Sequence, residues 1–339
     1  MAPVSLKELA RELNLSVSTV SRALNDSSDI AQQTKDRARA LAAKLKYEPN
    51  PYASSLRNHK SRTIGVVIPE VNNHFFSLAI NGIEEIARAN NYHVLISLTH
   101  EEPQQEIETI KMLAGGRVDG LLVSTTSNEH NHLIELKERG IPLVFFDRVH
   151  EKATTAKVTT DDYRSAYKAT SHLLDVGCRT ILHLTIAGQL SISKRRLQGY
   201  TDALRDRGVA YEETLVLQGH THEPDNTALI QSILQNRRDI DGIFASVETL
   251  AMSSYEACRN LQLTIPDDIK IIGFSNLETA SLLAPPLTTV TQPAYSIGKE
   301  AAQLLFQAVN KNKILSIEDD LEIESTIIIR ESTINFVFK

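Results

Sequence analysis

The chain's 339 residues, 42% hydrophobic and 23% charged, exceed one ordinary core and predict two or three domains of a soluble globular protein. Two cysteines, Cys178 and Cys258, supply neither a disulfide framework nor metal-ligand spacing, and no signal-peptide core or membrane-length apolar run is present, so the expected setting is cytoplasmic, without a membrane partner. The net charge of −6 hides an asymmetry, because residues 1–62 hold 11 Lys/Arg against 6 Asp/Glu while the remainder is acidic; a basic head on an acidic body points to a polyanion partner for the head alone.

The head reads as short helices. Ser5-Leu6-Lys7-Glu8 is a capping box that opens a helix to about Leu13. Asn14 suits the left-handed turn, and Ser16 is the N-cap of a second helix over 17–24. A third runs from about Gln32 to Lys46, with Ala38, Leu41, Ala42 and Leu45 at helical spacing and a weak cap at Ala31. Pro49 and Pro51 then break the chain. In the second helix Val20 and Leu24 are expected to face inward with Leu9 and Leu13. Val17, Ser18, Ser21 and Arg22 are expected to face out, with Thr19 on a phosphate. Two short helices braced by a third, with a basic surplus, describe a helix-turn-helix whose second helix enters the major groove. Short hydroxyls let backbone approach phosphates, and Arg22 carries the fork that pairs with guanine. On these residues alone a small polar three-helix interaction module remains the alternative.

From Arg62 the pattern changes. Apolar β-rich runs start at 63 (TIGVVI), 92 (YHVLISL), 119 (DGLLVS), 142 (PLVFFD), 180 (TILHLTI), 214 (TLVLQG), 241 (DGIFAS) and 269 (IKIIGFS). Helical segments lie near 75–90, 104–114, 129–139, 162–176, 194–207, 225–236, 248–262 and 295–310. Such alternation predicts parallel sheets covered on both faces. Roughly ten strands would overfill one sheet, so two doubly wound α/β lobes are expected. No G-x-G-x-x-G after a strand, G-x-x-x-x-G-K-[ST] or G-x-S-x-G occurs, and Gly115-Gly116 falls at a helix end. The His130-Asn131-His132 and His220-Thr221-His222 pairs read as surface loops. No catalytic residue, cofactor or metal is therefore expected, and the chain is not read as an enzyme.

The segments VSLKELARELNLSVSTVSRALND and TKDRARALAAKLKYEPNPYASSLR are similar, nearly position for position, to the head of the LacI/GalR family of bacterial transcription regulators. TIGVVIPEVNNHFFSLAINGIE, IPLVFFDR, RRLQGYTDAL, IPDDIKIIGFSN and PPLTTVTQP extend the resemblance over residues 4–333. It implies a helix-turn-helix domain over 1–50, a hinge helix or linker over 51–61 and a periplasmic-binding-protein-like effector and dimerisation domain over 62–339. Lobe 1 would comprise about 62–160 and 290–320, and lobe 2 about 161–289 and 321–339. It also implies a homodimer on a palindromic double-stranded DNA operator. The DNA-facing residues would be Ser16, Val17, Ser18, Thr19, Ser21, Arg22, Asn25, Tyr47, Asn50, Ala53, Ser55 and Leu56, with Leu56 as a minor-groove wedge. Read alone, 51–58 is equally a plain linker in the free protein.

In such a family the lobes close on a small effector, and the residues implied here are Asn72, Phe75, Phe76, Asp147, Arg148, Arg196, Thr221, Val247, Glu248 and Ser275. Two positions depart from the usual pattern. The expected Asn-Asp pair is Val247-Glu248, and the expected Asp after Gly273-Phe274 is Ser275. Lys194, Arg195, Arg196, His220 and His222 add positive charge, which admits an anionic sugar derivative, unless Lys194 and Arg195 point to solvent. The expected function is a DNA-binding regulator, a repressor controlled by a carbohydrate-derived effector. The alternatives are a catabolite-control regulator whose main corepressor is a partner protein, and a plain solute-binding protein, which the basic head disfavours.

Overall fold

A computed structural model describes residues 4–47, 60–126, 136, 139–219, 226–311 and 313–334. The chain forms two compact units, 1–61 and 62–339.

The head holds α1 (Leu6–Leu13), α2 (Val17–Leu24) and α3 (Gln32–Lys44). The capping box is formed, with Ser5 N–H donating to Glu8 Oε2 at 2.6 Å and Glu8 N–H to Ser5 Oγ at 3.3 Å. Asn14, at φ 53°, ends α1 in the left-handed conformation that an Asn tolerates. Ser16 Oγ accepts the Thr19 N–H at 3.0 Å and starts α2, whereas Ala31 gives α3 no side-chain cap. Leu9, Leu13, Val20, Ala23 and Ala38 form the core, with Leu24, Leu41, Ala42 and Leu45 packed at its margin. One expectation is corrected. Ser21 is buried at 8% exposure rather than turned outward, because it lies one turn before Leu24 and shares the side of α2 that packs inward.

The body carries two six-stranded sheets. Lobe 1 contains β1 (Thr63–Ile68), β2 (His93–Leu98), β3 (Leu121–Val123), β4 (Leu143–Phe146), β5 (Lys157–Thr160) and β11 (Leu321–Ile323), ordered β11-β5-β4-β3-β1-β2. Lobe 2 contains β6 (Ile181–Thr185), β7 (Val216–Gln218), β8 (Gly242–Ala245), β9 (Lys270–Phe274), β10 (Thr288–Thr291) and β12 (Thr326–Ile328), ordered β12-β10-β9-β8-β6-β7. Every pairing is parallel except β10 with β12. Helices α4 (His74–Ala89), α5 (Pro103–Ala114) and α10 (Ala294–Lys311) belong to lobe 1. Helices α6 (Asp162–Asp175), α7 (Ser191–Asp206), α8 (Asn226–Asn236) and α9 (Glu248–Asn260) belong to lobe 2.

The sequence reading named eight strands and missed β5, β10, β11 and β12. KVTT and TTVT are threonine-rich, while LEI and TII are three residues long, so none shows an apolar run. These strands also move the lobe boundaries. Leu321 pairs with Val158 in lobe 1, so the last crossing falls at 324–325 rather than 320–321, and β10 keeps residues through 291 in lobe 2. The expected helix near 129–139 falls almost wholly outside the described residues, as does the expected hinge or linker over 51–61.

In lobe 1, α4 and α10 cross with their backbones in contact. A Cβ on Gly298 would run into the Ala79 carbonyl, and one on Gly82 into the Tyr295 carbonyl. Neither helix can retreat without uncovering Ile83, Ile297 and Ala301, all fully buried. Gly298→Val should therefore cost roughly 3 kcal/mol of stability through overpacking, seen as a lower urea midpoint. Gly188→Ala, where the nearest atom to an added Cβ is 4.0 Å away, should leave the midpoint unchanged.

Candidate nucleic-acid interface and ligand cleft

The outer side of α2 presents Val17, at 41% exposure, beside exposed Ser18 and Arg22 and half-buried Thr19. Ser16 Oγ lies 2.7 Å from Ser18 Oγ and 2.8 Å from Thr19 Oγ1, so the three hydroxyls form one cluster at the helix start. Arg22 is paired with Asp29 at 2.5 Å, both side chains half exposed. A solvent-exposed pair of this kind is cheap to exchange for a base edge or phosphate. Sequence reading missed Asp29, seven residues away across a loop. Asn25 is exposed and donates from Nδ2 to the Ser21 carbonyl at 2.9 Å. Tyr47 packs on the head core, where burial raises its phenol above the usual range. Asn50, Ala53, Ser55 and Leu56 lie outside the described residues.

The body's cleft sits at the C-terminal ends of β4, β8, β9 and β10, with one wall from each lobe. Parallel sheets place ligands there, where strand ends and helix starts converge. At its floor Arg196, 2% exposed, projects from α7. Its Nε and Nη2 reach Asp162 Oδ1 at 2.8 and 2.7 Å, Nη1 reaches the Ser246 carbonyl, and the guanidinium lies 3.7 Å from the Phe274 ring centroid. Burial pushes the Asp162 carboxyl up, and Arg196 opposes that shift.

In the lobe 1 wall, Arg148 Nη1 donates to both oxygens of Glu101 at 2.8 and 2.7 Å, while its buried Nε has no partner among the described residues. Asp147 holds a left-handed φ of 59°. Burial raises its carboxyl to about 6 against the pull of Arg148 and Arg196. Phe75 and Phe76, edge to face at 5.3 Å, open α4 and complete this wall.

The lobe 2 wall contains both departures from the family pattern, and they complement each other. Glu248 Oε2 accepts the Ser275 hydroxyl at 2.6 Å and the Asn276 N–H at 3.1 Å. An aspartate at 275 would face this carboxylate with like charge, whereas serine donates to it. Beside them Asn276 Nδ2 donates to the Gln292 carbonyl at 2.7 Å, and buried Asn276 Oδ1 and Gln292 Nε2 have no partner among the described residues.

Phe75, Phe76, Asp147, Arg148, Arg196, Val247, Glu248 and Ser275 thus come together as expected. Asn72 does not, being exposed and outside the lining. Its neighbour Asn73 lines the cleft while its Oδ1 caps α4 by accepting the Phe75 N–H at 2.9 Å. Thr221, His220 and His222 lie outside the described residues. Lys194 and Arg195 are half exposed outside the lining, 3.9 Å from Glu151 and 3.7 Å from Glu322, the solvent-facing alternative of the two. Sequence reading missed Asn73, Ile192, Phe274, Asn276 and Gln292. The position of Asn276 and Gln292 just after parallel strands was the available signal. Among the described residues, no cluster of His, Cys, Asp and Glu could hold a metal, and no helix is long and apolar enough to cross a membrane.

Two family models match the chain: "Periplasmic binding proteins and sugar binding domain of LacI family" over residues 61–331, and "Bacterial regulatory proteins, lacI family" over residues 5–50. The chain is 30% identical over 329 residues to the ribose operon repressor of Haemophilus influenzae, covering 97% of this chain and 98% of that protein. A lac repressor dimer solved with operator and the anti-inducer ONPF has the same fold, with a TM-score of 0.85, 21% identity and coverage of 98% and 100%. A LacI-family regulator from Enterococcus faecium, solved with bound ribose, is 26% identical at a TM-score of 0.71, covering 80% of this chain and 98% of that one.

The shifted Asp147 carboxyl sets a pH dependence. An unfolded aspartate loses its proton near about pH 4, whereas folded Asp147 keeps it to about 6. The folded state therefore binds more protons between these values and loses stability as pH rises through that window. Asp147→Asn, which tolerates the left-handed backbone, should match the parent at pH 4. At pH 7 it should exceed the parent by on the order of 2 kcal/mol in urea titrations; equal stabilities at pH 7 would refute the attribution.

Proposed function

The chain belongs to the LacI family of bacterial regulatory proteins, and from this we propose that it represses transcription by binding a palindromic operator as a homodimer, under control of a sugar-type effector held between its lobes. Its homologues are DNA-binding transcriptional regulators, not enzymes. In this reading Val17, Ser18 and Arg22 meet base edges while Ser16, Thr19 and Asn25 meet phosphates. Ser21 supports the helix from its inner side. Tyr47, Asn50, Ala53 and Ser55 continue the DNA contact toward the hinge, where Leu56 acts as the minor-groove wedge.

The observation that carries the effector reading is a set of polar atoms on cleft-lining residues that are buried and, among the described residues, without a partner: Arg148 Nε, Asn276 Oδ1 and Gln292 Nε2. Buried polar atoms without partners are costly, and a polyhydroxylated ligand offers both donors and acceptors. An uncharged sugar fits better than a sugar acid or phosphate. Both lining guanidiniums are already held by Glu101 and Asp162, and Asp147 and Glu248 add further negative charge. The bound ribose of the Enterococcus faecium regulator supports the same class. A cleft built in this way favours a small effector over a partner protein as the main corepressor. The effector acts by binding one arrangement of the lobes better than the other.

Thermal melts with pentoses, hexoses and disaccharides test the cleft. A ligand at a hundredfold over its Kd should stabilise by about 2.7 kcal/mol, and a response to sugar acids or phosphates alone would overturn the uncharged-sugar assignment. In mobility shifts, Arg22→Ala should weaken operator binding by about 1–3 kcal/mol, the value of one bidentate base contact, with non-specific binding much less affected. Equal losses on operator and random DNA would remove Arg22 from the reading set.

A further inference from the structure

One hydrogen bond spans the rim of the cleft from lobe to lobe. His74 opens α4 in lobe 1, and Glu248 opens α9 in lobe 2. His74 Nδ1 lies 3.0 Å from Glu248 Oε1, although the residues are 174 positions apart. A carboxylate only accepts, so Nδ1 carries the proton of this bond. The two ends differ in character. Glu248 is 13% exposed in its side chain and anchored through Oε2 by Ser275 and the Asn276 N–H, so its Oε1 is held facing lobe 1. His74 is 45% exposed and is not among the residues lining the cleft. The bond therefore bridges the rim, beside the ligand space rather than within it.

We infer that His74 and Glu248 form a rim clasp that holds the two lobes of this body together by the chain's own side chains. Other contacts also join the lobes. Val149 N–H donates to Ser191 Oγ at 3.1 Å, and Lys194–Glu151 and Arg195–Glu322 stand at 3.9 and 3.7 Å. The last two are long and half exposed, and screening in water weakens them. The His74–Glu248 bond differs in having one end fixed in advance by two hydrogen bonds, so less side-chain freedom is lost on forming it. It biases the lobes toward closure independently of any effector and sets how far an effector must shift the equilibrium. The inference rests on the two-lobe cleft described above but not on the identity or charge of what enters it.

The test uses the full chain without effector. Arg88→Cys in α4 and Arg205→Cys in α7, both highly exposed, carry spin labels, with labelled chains diluted into unlabelled protein. Pulsed electron-spin distance measurements should give one narrow interlobe distance. His74→Ala and His74→Phe should each broaden it and shift it by several ångströms, whereas His74→Gln, which restores an N–H donor, should recover the narrow distribution. Glu248→Ala should resemble His74→Ala, and the double variant should move no further than either single one. An unchanged distribution in both His74→Ala and His74→Phe would overturn the clasp, as would shifts that add in the double variant. No result here depends on a sugar binding, so failure of the clasp is distinct from failure of the effector reading.

Discussion

A guanidinium buried in the floor of lobe 2 has to be paired, and the rest of the cleft is arranged around how Arg196 achieves this. Its charge is met by Asp162, its Nη1 by the Ser246 carbonyl and its flat face by Phe274. That set ties α6, α7, the end of β8 and the end of β9 to one side chain. Stripping a partner from such a group would leave a buried charge, which is more costly than the pair is stabilising. Asp162 also stands immediately after a lobe crossing. Its neighbour Asp161 accepts the Ser325 N–H at 2.7 Å, and Thr160 Oγ1 donates to the Ile323 carbonyl at 3.0 Å. Two of the three crossings are thereby bonded to each other directly beside the cleft floor, so lobe motion and ligand contact share the same few residues.

Charge balance explains why the altered lobe 2 wall remains coherent. Where the family pattern would set a carboxylate at both 248 and 275, this chain keeps one at Glu248 and places the Ser275 hydroxyl opposite it. The hydrogen bond between them preserves one negative charge on that wall. With Arg148 and Arg196 internally neutralised, the surface left for a ligand consists mainly of hydrogen-bonding groups and aromatic faces.

The head solves a different problem with few residues. Its α2 spans only eight residues and is held by Val20, Ala23 and the margin contact of Leu24, so little apolar surface is available to fix it. Capping by Ser16 compensates at the N-terminus, where the same hydroxyl cluster also stands on the exposed side. One local feature therefore serves both helix formation and the surface offered to DNA, which is why α2 carries so many hydroxyls.

Much of this was legible without coordinates. The capping box at Ser5, the Asn14 turn, the Ser16 cap and eight of the strands follow from interactions within a few residues, and such interactions are written directly in the sequence. The family-like motifs also placed most of the cleft. Four strands were hidden because KVTT, TTVT, LEI and TII take their strand character from the neighbours they pair with. Asn72 was chosen over Asn73 because adjacent residues on a loop look alike until the helix cap orients one of them. The outward placement of Ser21 failed, and the open choice for Lys194 and Arg195 fell to the solvent side, for a similar reason: spacing gives a direction around a helix but not what packs against it. The sequence by itself thus determined the alternation of strands and helices that carry an apolar pattern, the basic head and the chemistry available to the cleft. Only the tertiary structure decided which charges cancel, where the chain crosses between lobes and that His74 meets Glu248. Those outcomes depend on contacts between residues far apart in the chain, which local preference does not encode.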